Sequence, residues 1–365
     1  MLANLKAAGF DPRLPPPKVW CHIRSYHGDA RWLMYALRSL HRYARHVLQR
    51  VVVAVPMAEI DFFNSFLAGQ APWVEVVALT RTVTGGDDSS RYEQVNYDVL
   101  TADERVRDDV DFIFHMDSDS VLVRHLTWTD LFEERRAIGR ITRYDRLPPH
   151  VKQSTYANVK EAVGRINGET SDDVDIIHDF AYHHVGALYP RRAYLLTRQR
   201  VEAAHGKSFR AFVSGSTVTV PDYNLIGAVM YLFHRNDMRW TEIEPSSPSP
   251  SEVLMDGGWG GENNSSTSRE NTKNAAETTV RFPVLRFSSW SGVTMEEAAR
   301  LECVLQADVR WEKAGKAEGK TTPPRGGGGR WTPDPFETCP AFDLCALQEY
   351  RGKHRRRCNE GEERK

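Results

Sequence analysis

The chain has 365 residues, 41% of them hydrophobic, with 48 lysines and arginines against 49 acidic residues. That length supports one sizeable α/β core with extra segments, and the near-zero balance gives no general reason to expect a nucleic-acid or anionic-membrane partner. No apolar run approaches the roughly 20 residues of a membrane helix, and Met1 to Lys18 lacks the apolar core of a signal peptide. The expectation is a cytoplasmic protein with no transmembrane segment; a Golgi or other lumenal location stays open if the N-terminus is incomplete.

An N-terminal extension, residues 1–18, ends in Pro15-Pro16-Pro17. Val19 to Ser25 then reads as a short strand, followed by a helix with Leu33, Leu37, Leu40 and Ala44 at helical spacing. Arg50 to Val55 is a β-branched run closed by Pro56, Met57 to Leu67 reads as a helix, and Val74 to Leu79 as a strand. A turn-rich stretch, Thr84 to Ser90, leads to a helix over Tyr92 to Leu100 and a strand over Asp111 to Met116. This alternation predicts an α/β fold, a mostly parallel twisted sheet with helices on both faces and ligands at the carboxyl ends of the strands.

Further strands are expected at Ala137 to Arg143 and Arg281 to Phe287, with helices at Thr155 to Ile166 and Asp222 to Phe233 and a capping box at Thr294-x-x-Glu297. Residues 245–279 are rich in Ser, Pro, Gly and Asn and read as a disordered insertion within a main domain spanning 19–310; residues 311–365 read as a low-complexity charged tail. The five cysteines, at 21, 303, 339, 345 and 358, read as ordinary thiols, because the gap from Cys339 to Cys345 is wider than usual zinc spacing.

The chemistry concentrates in Asp111-Phe-Ile-Phe-His-Met-Asp-Ser-Asp-Ser-Val-Leu-Val123, an apolar strand that ends in Asp117-Ser118-Asp119. On an extended chain Asp117 and Asp119 fall on the same side, and a pair of hard oxygen ligands suits Mn²⁺ or Mg²⁺ with positions left for water and phosphate oxygens. Here the sequence resembles the glycosyltransferases of the GT-A fold, whose mark is a DXD motif after a hydrophobic strand behind a nucleotide-binding α/β half.

The resemblance implies a metal at Asp117 and Asp119, with Ser118 between them, and a nucleotide-sugar donor such as a UDP- or GDP-sugar lying on the loop after the first strand. That makes Arg24, Ser25 and Tyr26 nucleotide-binding candidates, and it extends to Gln94 in Arg91-Tyr92-Glu93-Gln94. The acceptor would be a glycan, a protein or a lipid. The chain departs from the family pattern late: Phe282 to Trp290 offers no histidine as a third metal ligand.

Asp222, in Val220-Pro221-Asp222-Tyr223-Asn224, stands where inverting enzymes of this fold present an acidic residue, although an aspartate before an apolar-faced helix is also a favoured N-cap; Asp175 and Asp179 are substitutes for the catalytic role. Two other readings stay open. Asp117-Ser-Asp119-Ser-Val-Leu also resembles the DxDx(V/T)(L/V) motif of haloacid-dehalogenase-like phosphatases, in which the first aspartate is a nucleophile, but about 110 residues precede it here and Asp172-Asp173 lacks an apolar strand before it. The other is a sugar-nucleotide or glycan-binding protein without turnover. His115 reads as a core histidine, His183 and His184 as packed or surface residues, and Trp290 as core or a sugar-stacking ring.

Overall fold

The computed structural model describes residues 2–70, 73–79, 88–122, 125–147, 160, 162–164, 166–167, 178–180, 186–214, 222–243 and 284–286, with side chains described at these positions except 31, 70, 88–93 and 284–286. Five strands form the main sheet: β1 (Val19–Arg24), β2 (Arg50–Pro56), β3 (Val74–Leu79), β4 (Phe112–His115) and β9 (Ala187–Pro190), in the spatial order β3-β2-β1-β4-β9. β1, β2, β3 and β4 run parallel, while β9 is antiparallel to β4. The chain therefore crosses over from β1 outward to β3, then returns to place β4 on the other side of β1.

The expected alternation is the one observed. Helix α2 (Ala30–Tyr43) follows β1, α3 (Ile60–Phe66) follows β2 after a single 3₁₀ turn, and α4 (Asp88–Leu100) precedes β4, starting earlier than the expected Tyr92. Residues 51–55 of β2 are buried without exception, as both faces of a central parallel strand must be. Side-chain contacts settle the layers. From one face Arg24 reaches Asp98 of α4, and His115 touches Tyr194 of α6 (Arg192–His205) and Tyr223 of α8 (Asp222–Phe233). On the other face the Phe112 ring meets Phe132 edge-on at 4.9 Å, beneath Phe10 and α5 (Trp128–Leu131).

A smaller sheet holds β10 (Met238–Glu242), β7 (Arg136–Arg143) and β6 (Phe132–Glu133), with β8 (His178–Asp179) also on β7. Phe180 seats against α8, where a Cβ on Gly227 would fall 2.4 Å from its ring, so only glycine permits this approach. A third pairing sets β11 (Val284–Arg286) antiparallel to β5 (Ser120–Leu122). The N-terminal extension carries a short helix, α1 (Leu2–Ala7), and α7 (Phe209–Ser214) follows α6. Among the described residues no helix is long and apolar enough to cross a membrane.

One local expectation is corrected. Strand β4 stops at His115, and Asp117 to Ser120 fold into a tight turn in which the Ser120 N–H donates to the Asp117 carbonyl at 3.1 Å. Asp117 and Asp119 are thus corner residues of a turn, not alternate residues of an extended strand. Residues 245–279 and 311–365, Thr294, Asp172, Asp173, Asp175, His183, His184 and Trp290 lie outside the described residues, as does much of the expected helix Thr155 to Ile166.

Candidate functional site

In an open α/β sheet the crevice forms where the order of strands reverses, because the loops leaving the two adjacent strands there diverge to opposite sides. Here that point lies between β1 and β4. The loop after β1 is Ser25 to Asp29; the one after β4 is Met116 to Asp119. Both leave from the carboxyl ends of parallel, hydrogen-bonded strands, so residues 93 positions apart in the chain, such as His22 and His115, are register partners.

The two loops touch. Ser118 Oγ donates to Asp29 Oδ2 at 3.1 Å. Burial raises the Asp29 pKa above its usual range; the Ser118 hydrogen bond, the neighbouring Tyr26 phenol and the Arg24 charge oppose this, and Asp117 adds to it. Ser118 and Asp119 are buried, Asp117 and Asp29 are half-buried, and Tyr26 is 42% exposed at the rim. Burial, then Asp29 and Asp119, raise the Tyr26 pKa. Ser25 is buried with its N–H on the Ala54 carbonyl at 2.9 Å, and its hydroxyl makes no hydrogen bond within the described structure.

Arg24 and Gln94 are brought together, but on a residue that sequence reasoning passed over. Both bond to Asp98, a carboxylate with no exposure: Arg24 Nε at 3.1 Å and Gln94 Nε2 at 2.8 Å, with Arg105 at 3.5 Å. Burial raises the Asp98 pKa, with Arg24 and Arg105 pulling the other way. Arg24 is therefore tied to the wall of the crevice. Asp98 was legible only as one more polar residue of a helix, since its burial depends on which face of α4 meets the sheet. Asp29 gave a weak positional signal, as an acidic residue in the loop after the first strand.

Asp222 is the first residue of α8, and its Oδ1 accepts the N–H of Tyr223 at 2.6 Å. The buried Tyr223 phenol is held well above its usual pKa by burial and then by Asp117 and Asp222, so both carboxylates bear on one hydroxyl. The Tyr223 ring stands edge-on to that of His115 at 5.5 Å, which brings the N-terminus of α8 beside the end of β4 that leads into the Asp117 turn. Asp179 is buried at 2% exposure and accepts from Asn224 Nδ2 at 3.3 Å, which fixes it in the packing between β8 and α8. His115 is a satisfied core histidine, hydrogen-bonded to the Tyr194 hydroxyl.

Among the described residues no group of three or more His, Cys, Asp and Glu side chains is arranged to hold a metal ion. Asp117 and Asp119 are the pair that the sequence offers for a metal. Their oxygens are hard, they share one turn, and they suit a cation that completes its shell with water and phosphate oxygens. The late strand in which a third ligand was sought, β11, pairs directly with β5 as it leaves this turn, Arg286 opposite Ser120. No family model matches the chain, and no curated protein matches it.

Proposed function

We propose that the protein is a metal-dependent glycosyltransferase of the GT-A type that moves a sugar from a nucleoside-diphosphate donor to an acceptor hydroxyl. The observation that carries this reading is the placement of the Asp117-Ser118-Asp119 turn at the switch point, in hydrogen-bonded contact with the loop after β1. A diphosphate leaving group needs its charge met where the bond breaks, and a loop at a strand's carboxyl end is where this architecture receives a nucleotide.

In this reading Asp117 and Asp119 hold Mn²⁺ or Mg²⁺, which when bound neutralises charge on the departing diphosphate. Ser25 and Tyr26 line the nucleotide side, the first with a buried hydroxyl lacking a bond and the second with an exposed ring. Arg24 and Gln94 shape that wall through Asp98. Asp222 takes the proton from the acceptor hydroxyl as it attacks the sugar carbon; its place at the start of α8, whose Tyr223 ring packs on His115 at the end of β4, supports this role.

A thermal-shift screen of UDP-, GDP- and CMP-sugars with and without Mn²⁺ tests the reading, because a ligand that binds only the folded state raises its stability by mass action. The expected result is a metal-dependent shift with one nucleotide, followed by donor hydrolysis or transfer. Metal-dependent binding without turnover would leave a sugar-nucleotide-binding protein. Phosphate release from simple monoesters with Mg²⁺ would replace the reading by the phosphatase one.

A further inference from the structure

We infer that His115 is a positioning residue that sets the spacing between the acceptor side of the site and the metal turn; the inference rests on the glycosyltransferase reading above, with Asp222 as its base. Strand β4 is apolar through Phe112, Ile113 and Phe114 and then ends in an imidazole that is 1% exposed. A polar ring at that depth is costly unless it is hydrogen-bonded, and this one bonds through Nε2 to the buried hydroxyl of Tyr194 on α6. Two further rings meet it edge-on: Tyr223 of α8 at 5.5 Å and His22 of β1 at 5.3 Å. One side chain therefore touches β1, α6 and α8.

Its main chain leads to the metal turn. The N–H of Met116 donates to the His22 carbonyl at 3.2 Å, which ties the exit of β4 to β1, and Asp117 follows. On the other side Asp222 precedes Tyr223 at the start of α8 and accepts its N–H. The path from the turn to the proposed base thus runs Asp117, Met116, His115, Tyr223, Asp222, its three middle members buried and the aspartates at its two ends half-buried. An apolar side chain at 115 would pack without direction. The Tyr194 bond fixes the imidazole plane, and an edge-on neighbour then has one preferred place, so the bond sets where α8 begins relative to the turn. Burial, then Tyr189, Asp103 and Asp222, hold the Tyr194 pKa well above its ordinary range, so the phenol stays a hydroxyl.

The experiment uses the full chain, Mn²⁺ and the UDP- or GDP-sugar that binds, with release of UDP or GDP to water as the turnover measured. Donor KM, Mn²⁺ affinity by calorimetry and melting temperature are read beside kcat. Tyr194→Phe removes the hydroxyl and keeps the ring. The expected result is a fall in kcat of about tenfold to a hundredfold, the scale of a misplacement of about 1 Å, with donor KM and Mn²⁺ affinity unchanged. His115→Gln, whose amide reaches the same phenol, keeps most of kcat, whereas His115→Asn, one methylene shorter, loses as much as Tyr194→Phe. In an Asp222→Asn background Tyr194→Phe adds no further loss, because a residue that acts by placing the base has no effect once the base is gone.

Failure of the wild type to bind and hydrolyse any such donor with Mn²⁺ removes the glycosyltransferase reading and the inference with it. Where the wild type turns over, kcat retained in Tyr194→Phe removes only the inference, as do losses in Tyr194→Phe and Asp222→Asn that multiply in the double variant. A fall in Mn²⁺ affinity in Tyr194→Phe overturns it too, since the bond would then serve the metal turn alone. If Tyr194→Phe does not fold, the Gln and Asn variants of His115 decide: equal kcat in the two means that the bond has no bearing on the site.

Discussion

Two tight turns of this fold bear their costs in different forms. In the turn Asp117 to Ser120 the cost is electrostatic: Asp119 is buried and Asp117 half-buried, and Asp117 adds to the raised pKa of Asp29 beside it. In the two-residue turn joining β6 to β7 the cost is in the backbone, since Glu134 and Arg135 have φ of 51° and 66°, a left-handed conformation that side chains with a Cβ disfavour. Both of those residues are exposed. Charge gathered out of water at a switch point has a chemical use, whereas strain at an exposed hairpin is held by packing alone, and each implies a different outcome on substitution.

The largest effect is expected at the charged turn. Asp119→Ala and Asp117→Ala each abolish Mn²⁺-dependent nucleotide binding and lower turnover on the order of a thousandfold, the equivalent of several kcal/mol of transition-state charge stabilisation. Melting temperature changes little, because the turn keeps its backbone bond and relieves crowding among carboxylates. Full Mn²⁺-dependent turnover in both variants would end the metal-site reading. At the start of α8, Asp222→Asn is expected to keep the melting temperature, since Asn accepts the Tyr223 N–H as Asp does, and to lose about a hundredfold or more in turnover for want of a base. Near-normal turnover would move the search for the base elsewhere.

How far these sites were legible follows from what each depends on. The strands β1 to β4 read cleanly because β-branched runs such as Val51 to Val55 leave little choice, and α8 was bounded at Asp222 and Phe233 as observed. Helix α6 was not foreseen: its buried residues are Ala193, Tyr194, Thr197 and Val201, too small or polar to make an apolar stripe. The Asp117 pair was found by motif, but not its turn, since the end of β4 at His115 depends on where pairing with β1 and β9 stops. Asp29 and Asp98 take their roles from residues 89 and 74 positions away in sequence, and no local pattern carries that.

A third test asks whether the wall of the crevice belongs with the charged turn or with the packed scaffold. Asp98→Ala strips Arg105, 13% exposed, and Arg24, 26% exposed, of the buried carboxylate that both face. Removing one member of a buried ionic group costs about 3 kcal/mol, read as a lower denaturation midpoint with unchanged slope. Retained stability with lost nucleotide binding would instead assign Asp98 to the site. Below the turn, His22 supplies a pH signature. Burial first, then His115, Arg105 and Arg24, hold its pKa well below the ordinary 6.5. A base whose folded pKa is depressed contributes stability that is present above 6.5 and lost as pH falls, because the unfolded chain takes up the proton first. His41, His46 and His178 are depressed in the same direction, so the His22 share is read by difference: His22→Phe should lessen the acid-side decline in unfolding free energy by a slope of on the order of one proton, about 1.4 kcal/mol per pH unit.

The smallest effect is expected at the strained hairpin, and it has the opposite sign. Glu133 pairs with Arg136 and Phe132 with Ala137, so Glu134 and Arg135 are the two loop residues of a turn that needs positive φ at both positions, the geometry Asn-Gly fills most easily. The strain persists because the turn that follows α1 braces the hairpin from outside: the Arg135 N–H donates to the Ala8 carbonyl at 2.9 Å, and Gly9 packs so close that a Cβ there would lie 2.8 Å from the Glu134 Cα. Arg135→Gly keeps that N–H while removing a left-handed penalty of about 1–2 kcal/mol. Glycine returns about 0.5–1 kcal/mol of this as added freedom of the unfolded chain. The net expectation is a gain of about 0.5 kcal/mol, a rise of about 1–2 °C in melting temperature, with Mn²⁺ and nucleotide affinity unchanged. A loss of nucleotide affinity in Arg135→Gly would show that this hairpin's strain serves the site after all, and the division between the two turns would fail.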